Sequence, residues 1–151
     1  MTKPLLTVED LHVEFATYGG TVHAVRGVSF DVNAGETLAI VGESGCGKSV
    51  TVQSLMGLIP MPPGQITQGS AELMGHDILS SKFIDGQDIR GNKVSMIFQD
   101  PMTSLNPTMN IGSQIAETLE VHRGYSRRRA FTRAIELLEM TKIPEAQKRA
   151  K

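Results

Sequence analysis

Three glycines, the chain's one cysteine and a lysine fall within eight positions, Gly42-Glu43-Ser44-Gly45-Cys46-Gly47-Lys48-Ser49. The order fits the pattern G-x-x-x-x-G-K-[ST]. Each residue type has a physical role there. Glycines reach backbone conformations closed to other residues, so successive N–H groups can turn inward around an anion. Those donors and the positive end of a following helix suit phosphate oxygens. Lys48 is placed to bridge β- and γ-phosphates. Ser49 offers a hydroxyl to Mg²⁺, which takes oxygen ligands. Cys46 reads first as a small residue that fits a tight loop. As a thiol inside a phosphate cradle, it would also block the anion once alkylated.

Such a loop needs a strand before it and a helix after it. Thr37–Val41 (TLAIV) is a short apolar, β-branched run, the pattern of a strand buried on both faces. Lys48–Ile59 reads as a helix, with Val52, Leu55, Met56 and Ile59 at i, i+3, i+4 and i+7, and with Pro60 as its stop. Upstream, Leu5–Phe15 and Val22–Val32 read as strands joined by a turn at Tyr18-Gly19-Gly20. Asn33–Glu36 is a second turn. Downstream, Gly69–Leu79 reads as a strand with a turn at Gly75, and Val94–Phe98 (VSMIF) as another buried strand. Ser80–Asn92 carries no assignable pattern. The period then becomes helical. Ile111, Ile115 and Leu119 share one face. Ser126 is a candidate cap for a helix carrying Phe131, Ala134, Ile135 and Leu138 on one stripe.

The chain has 151 residues, a net charge of -1 and 40% hydrophobic residues. That is one domain's worth of chain with no global basic excess, so nucleic acid is not expected as a partner. The apolar runs are too short to span a bilayer. Met1–Phe15 has no cationic segment followed by a long apolar stretch, so mature cytosolic sequence is the expectation. A single cysteine agrees with a reducing compartment. There is no internal repeat and no low-complexity tract. Arg127, Arg128, Arg129 and Arg133 form a basic cluster, read first as a solvated helix face and secondly as a contact for a partner or lipid headgroups. His122 reads as a surface residue.

A phosphate loop alone does not separate kinases, GTPases and transport ATPases. Val94–Pro107 reads VSMIFQDPMTSLNP, with Gln99 at the end of the expected strand. A glutamine there can offer its carbonyl oxygen to Mg²⁺ or hold an attacking water. Together the sequence resembles the ATP-binding subunits of ABC transporters. The resemblance rests on VGESGCGKS as Walker A, IFQDP as the Q-loop and the opening VEDLHVEF…AVRGVSFDVNAGETLAIVGESG. The wording MIFQDPMTSLNPTMNIGSQIAE is similar to the oligopeptide/dipeptide/nickel importer branch.

The resemblance implies an α/β fold of the ABC type. It comprises a P-loop NTPase core with an antiparallel β subdomain over residues 1–100, then a partial helical subdomain over 101–151, truncated. It implies ATP and Mg²⁺ as cofactors. Gly42 to Ser49 and Val50 would bind phosphate, and Lys48 and Gln99 would be catalytic. Ser49 and Gln99 would hold the metal, and Phe15 would stack on adenine with Tyr18 as its competitor. Val50 departs from the usual Ser/Thr, but only its backbone N–H is needed. Implied partners are integral membrane permease subunits, a second ATP-binding subunit, identical or not, and indirectly an extracytoplasmic solute-binding protein. The implied place is the cytoplasmic face of the cell membrane.

The sequence contains no LSGGQ signature. After Gln99 it has no apolar tetrad ending in Asp-Glu and no identifiable switch histidine. An importer ATPase subunit inactive in hydrolysis as this chain alone is therefore the expectation. The competing reading is a truncated, non-hydrolysing nucleotide-binding module or pseudo-subunit. A small-molecule kinase is disfavoured by the Q-loop and the antiparallel start. Peptide as the solute rests on the wording of the family branch, and nickel stays open.

Overall fold

The computed structural model describes residues 3–80, 90–100 and 104–151. The chain divides into two compact units, Met1–Gly86 and Gln87–Lys151.

The first unit is built on an antiparallel sheet of order β2-β1-β3-β4, with β1 Leu6–Thr17, β2 Gly20–Val32, β3 Gly64–Leu73 and β4 His76–Asp77. β1 and β2 form a hairpin in which Thr17 faces Gly20 across the Tyr18-Gly19 turn. The Thr17 hydroxyl donates to the Gly20 carbonyl at 2.6 Å and closes the turn. Val8, Leu11 and Val13 of β1 are buried, with Val25 of β2 and Ala71 and Leu73 of β3. Strict alternation would put Val8 and Leu11 on opposite faces. A bulge at Asp10, where φ is 47°, inserts one residue and brings both to the core. Ser29 Oγ accepts the Asp10 N–H at 2.8 Å. The Asp10 carboxylate accepts from the Gln68 amide and meets His12 Nε2 at 3.0 Å.

β3 begins at Gly64, five residues before the strand expected at Gly69. Gln65-Ile66-Thr67-Gln68 lacks an apolar alternation, but its backbone pairs with β1 from Phe15 to His12. Helix α1, Lys48–Leu55, is shorter than the expected Lys48–Ile59. Gly57 ends it at φ 63°, with the Leu58 N–H donating to the Gln53 carbonyl at 2.8 Å, so the stop comes before Pro60. Its covered side chains also differ from the expected apolar stripe. Thr51 and Ser54 are buried, while Val52, Leu55 and Met56 are half-buried. Both hydroxyls are satisfied within the helix, Thr51 on the Gly47 carbonyl and Ser54 on the Thr51 carbonyl.

Two expected strands do not form. Thr37–Val41 has no regular structure, and Val41 is 86% exposed. Val94–Phe98 shows only an isolated bridge from Val94 to Arg90, and Ile97 is 98% exposed. A strand buried on both faces needs paired neighbours to satisfy its backbone. Among the described residues no strand pairs along either run. The stretch Ser80–Asn92, without an assignable pattern in the sequence, falls largely on residues outside those described.

The second unit holds α2 Ile111–Arg123, α3 Arg127–Met140 and the short α4 Ala146–Arg149. Asn110 caps α2 by accepting the Ser113 N–H at 2.8 Å, and Gly124 ends it at φ 62°. Ala116, Ala130 and Ala134 form the core between α2 and α3, flanked by Ile115, Leu119 and Tyr125. Small residues let the two helices approach closely. Ser126 stands at the cap position of α3, but its side chain makes no capping hydrogen bond. Phe131, Ile135 and Leu138 of the expected stripe are half-buried and Ala134 is buried. His122 is also half-buried, and a Cβ on Gly91 would lie 2.8 Å from its Nε2. Among the described residues no helix is long and apolar enough to cross a membrane.

Candidate phosphate-binding site

The loop Gly42–Ser49 lies in the first unit, against β2. Gly47 fixes its position. It takes φ 94°, and a Cβ there would fall 2.2 Å from the Ala24 carbonyl oxygen, so a side chain fits neither the backbone nor the space. Helix α1 begins directly after it, packed on β1 and β2. Its first turn carries no acidic residue and no side-chain cap, so the helix start keeps its positive end for an anion.

Lys48 curls back over the loop. Its Nζ donates to the Gly42 carbonyl at 2.9 Å and to the Glu43 carbonyl at 2.6 Å, and lies 3.6 Å from Cys46 Sγ. The ammonium therefore sits within the loop, where phosphate oxygens would need it. Cys46 is exposed, and its Sγ occupies the space a Cβ on Gly42 would enter, at 2.6 Å. Its N–H donates to the Glu43 carbonyl at 3.4 Å. Glu43, Ser44, Gly45 and Ser49 are exposed, and Gly47, Lys48 and Val50 are half-buried. Gly45 has φ 82° with open space beside it. The loop thus combines a fixed inner side with an open outer side. That donor set fits a nucleotide phosphate with Mg²⁺: a cation inside the turn, an exposed Ser49 hydroxyl and an uncapped helix start.

Phe15 stands on β1 opposite Val22 of β2 and Gly64 of β3. Its ring is half-buried against Gly64, where a Cβ would meet Cε1 at 3.0 Å. Val22 is two residues from Ala24, the residue that receives Gly47, so β2 connects the aromatic to the loop. Tyr18 sits in the hairpin turn and is fully exposed. Gln99 belongs to the second unit, is exposed and has no regular structure. Pro101, Met102 and Thr103 of the same motif lie outside the described residues. Beyond them, Gln114 of α2 ties the loop down. Its amide donates to the Asn106 and Met109 carbonyls, and its Oε1 accepts the Asn106 N–H. The Ala24 contact was not legible in the sequence, because a backbone carbonyl leaves no side-chain signal.

The sequence pattern of ABC transporters matches residues 25–151. The chain belongs to the ABC transporter family. The ABC transporter match includes the loop, Gln99 and the whole second unit, while β1 and Phe15 precede it. The chain is 54% identical over 145 residues to the oligopeptide transport ATP-binding protein OppD of Bacillus subtilis (strain 168), covering 96% of this chain and 40% of that protein. It is 52% identical over 151 residues to the dipeptide transport ATP-binding protein DppD of the same organism, covering 99% and 44%. Against the oligopeptide transport ATP-binding protein OppD of Haemophilus influenzae it is 48% identical over 147 residues, covering 97% and 45%. The chain thus spans less than half the length of these ABC transporter relatives.

Proposed function

We propose that this chain is part of the ATP-binding subunit of an ABC importer for peptides. The observation that carries the reading is the Lys48 ammonium held inside a glycine loop seated on the Ala24 carbonyl. The names of the relatives, oligopeptide and dipeptide transport ATP-binding proteins, supply the solute class.

In this reading Lys48 exchanges its carbonyl partners for phosphate oxygens. The N–H groups of the loop and of Val50 bind the same phosphates. Ser49 would hold Mg²⁺ through its hydroxyl, and by family resemblance Gln99 would offer it a second oxygen; the ion when bound would neutralise charge on the terminal phosphates. Phe15 provides the adenine platform. Gln99 also couples the nucleotide to the helical segment from residue 101 onward, with permease subunits as its docking partners and a second ATP-binding subunit completing the motor. The chain would then work at the cytoplasmic face of the membrane, and its 151 residues alone would release little phosphate from ATP. A phosphate-release assay on the isolated chain checks that last point.

The transport reading is tested by uptake of a labelled oligopeptide into cells carrying either the native residue or Lys48→Ala at this locus. The expected result is strongly reduced uptake in the variant. Uptake equal to that of the parent would overturn the importer role.

A further inference from the structure

The elbow between α2 and α3 concentrates charge that the phosphate site does not use. Residues 121–135 include Arg123, Arg127, Arg128, Arg129 and Arg133 and no acidic residue. Arg123 closes α2, and Arg127, Arg128 and Arg129 open α3. These four are exposed. Arg133 is paired with Glu136 at 2.6 Å, and Arg129 lies 4.0 Å over the ring of half-buried Tyr125. Among the described residues Arg123, Arg127 and Arg128 have no acidic partner.

The placement is electrostatically unfavourable for the isolated fold. Three guanidinium groups share the first turn of α3 with the positive end of its dipole, and no acid is present there to offset them. An open groove along this face is lined by Tyr125, Arg128, Arg129, Arg133 and Glu136, and that one acid is spent on Arg133. The charges are therefore spread over an open surface and are not gathered into an enclosed pocket.

We propose that the α2–α3 elbow is an electrostatic docking surface for anionic lipid headgroups. Lipid phosphates complement several splayed guanidiniums at once without needing a shaped pocket. This rests on the functional reading above in one respect: that reading brings the chain to a membrane. The surface would add a sequence-independent attraction to the bilayer beside any permease contact.

The test is cosedimentation of the 151-residue chain with phosphatidylcholine vesicles, with or without phosphatidylglycerol. Binding is expected only to the anionic vesicles and is expected to weaken as salt rises. Each arginine near such a surface contributes about fivefold, so the triple variant R127Q/R128Q/R129Q should partition roughly 100-fold more weakly. The matching triple lysine variant should keep most of the binding. Helicity by circular dichroism shows that α3 is intact. Equal binding to neutral vesicles, or full binding by the glutamine variant, would overturn the proposal. So would binding to soluble polyglutamate without binding to vesicles, which would assign the surface to an acidic protein. Thermal stabilisation by Mg-ATP reports the phosphate loop and should be the same in all three proteins, so failure of either reading is seen separately.

Discussion

Lys48 Nζ lies 2.9 Å from the carbonyl oxygen of Gly42, the first residue of its own loop. With the Glu43 carbonyl also accepting, the side chain closes the loop on itself and keeps the positive charge inside. The lysine thus holds the loop's shape in addition to offering a ligand for phosphate.

These bonds are partly solvated, so their loss should be tolerated by the fold. Lys48→Ala is expected to lower stability to unfolding by only about 1 kcal/mol. Urea denaturation followed by circular dichroism measures it. A loss several times larger would mean that the lysine is chiefly a structural residue.

Gly47 and Gly45 separate the effect of space from that of backbone angle. Gly47→Ala would add a Cβ 2.2 Å from the Ala24 carbonyl at φ 94°. A loss of roughly 3 kcal/mol or more is expected, together with a displaced loop. Gly45→Ala meets nothing within 4 Å at φ 82°, so only the left-handed conformation opposes it, about 1–2 kcal/mol. Similar midpoints for the two variants would contradict the seating of Gly47 on β2.

Cys46 is exposed beside the Lys48 ammonium, so a thiol reagent can reach it. The hypothesis is that Mg-ATP protects it from iodoacetamide and that the labelled chain no longer binds nucleotide. Mass spectrometry of timed aliquots gives the rates. Identical rates with and without nucleotide would remove Cys46 from the site.

The turn after β2 carries a pH-sensitive group. The Asn33 backbone N–H at 2.7 Å, and then its side-chain amide at 2.9 Å, hold the Glu36 carboxyl below the usual glutamate range. A lowered folded-state pKa contributes stability above the ordinary value, and that contribution is lost as pH falls through the lowered one. Because the backbone donor is the larger cause, Asn33→Ala should keep most of the depression. A side-chain carboxyl NMR titration reads it directly, and a full return to the ordinary value would assign the effect to the side chain instead.

The parts legible in the sequence were those set by local rules. The β1–β2 hairpin followed from the turn at Tyr18-Gly19-Gly20, the start of α1 from the loop glycines, and α2 from the shared face of Ile111, Ile115 and Leu119. The misreadings came from effects that local patterns do not carry. TLAIV and VSMIF have the composition of buried strands, yet burial depends on neighbours that only tertiary pairing supplies. The bulge at Asp10 depends on glycines in both adjacent strands. A Cβ on Gly27 would lie 2.8 Å from the Asp10 Oδ1, and one on Gly69 would lie 2.5 Å from its carbonyl. Those three positions are far apart in sequence, so no window spans them. Likewise Gly57 overrode an apolar stripe that continued to Ile59. At the site, the loop residues were readable as a pattern, whereas its seat on Ala24 was not.

The most direct measurement is thermal unfolding of the chain and of Lys48→Ala with and without saturating Mg-ATP. At about 100 times its dissociation constant, a ligand bound to the folded state should stabilise the parent by roughly 2.7 kcal/mol. The account expects that shift in the parent and none in Lys48→Ala, with both proteins folded beforehand. A shift of equal size in the variant, or none in the parent, would contradict the assignment of Gly42–Ser49 as the nucleotide phosphate site.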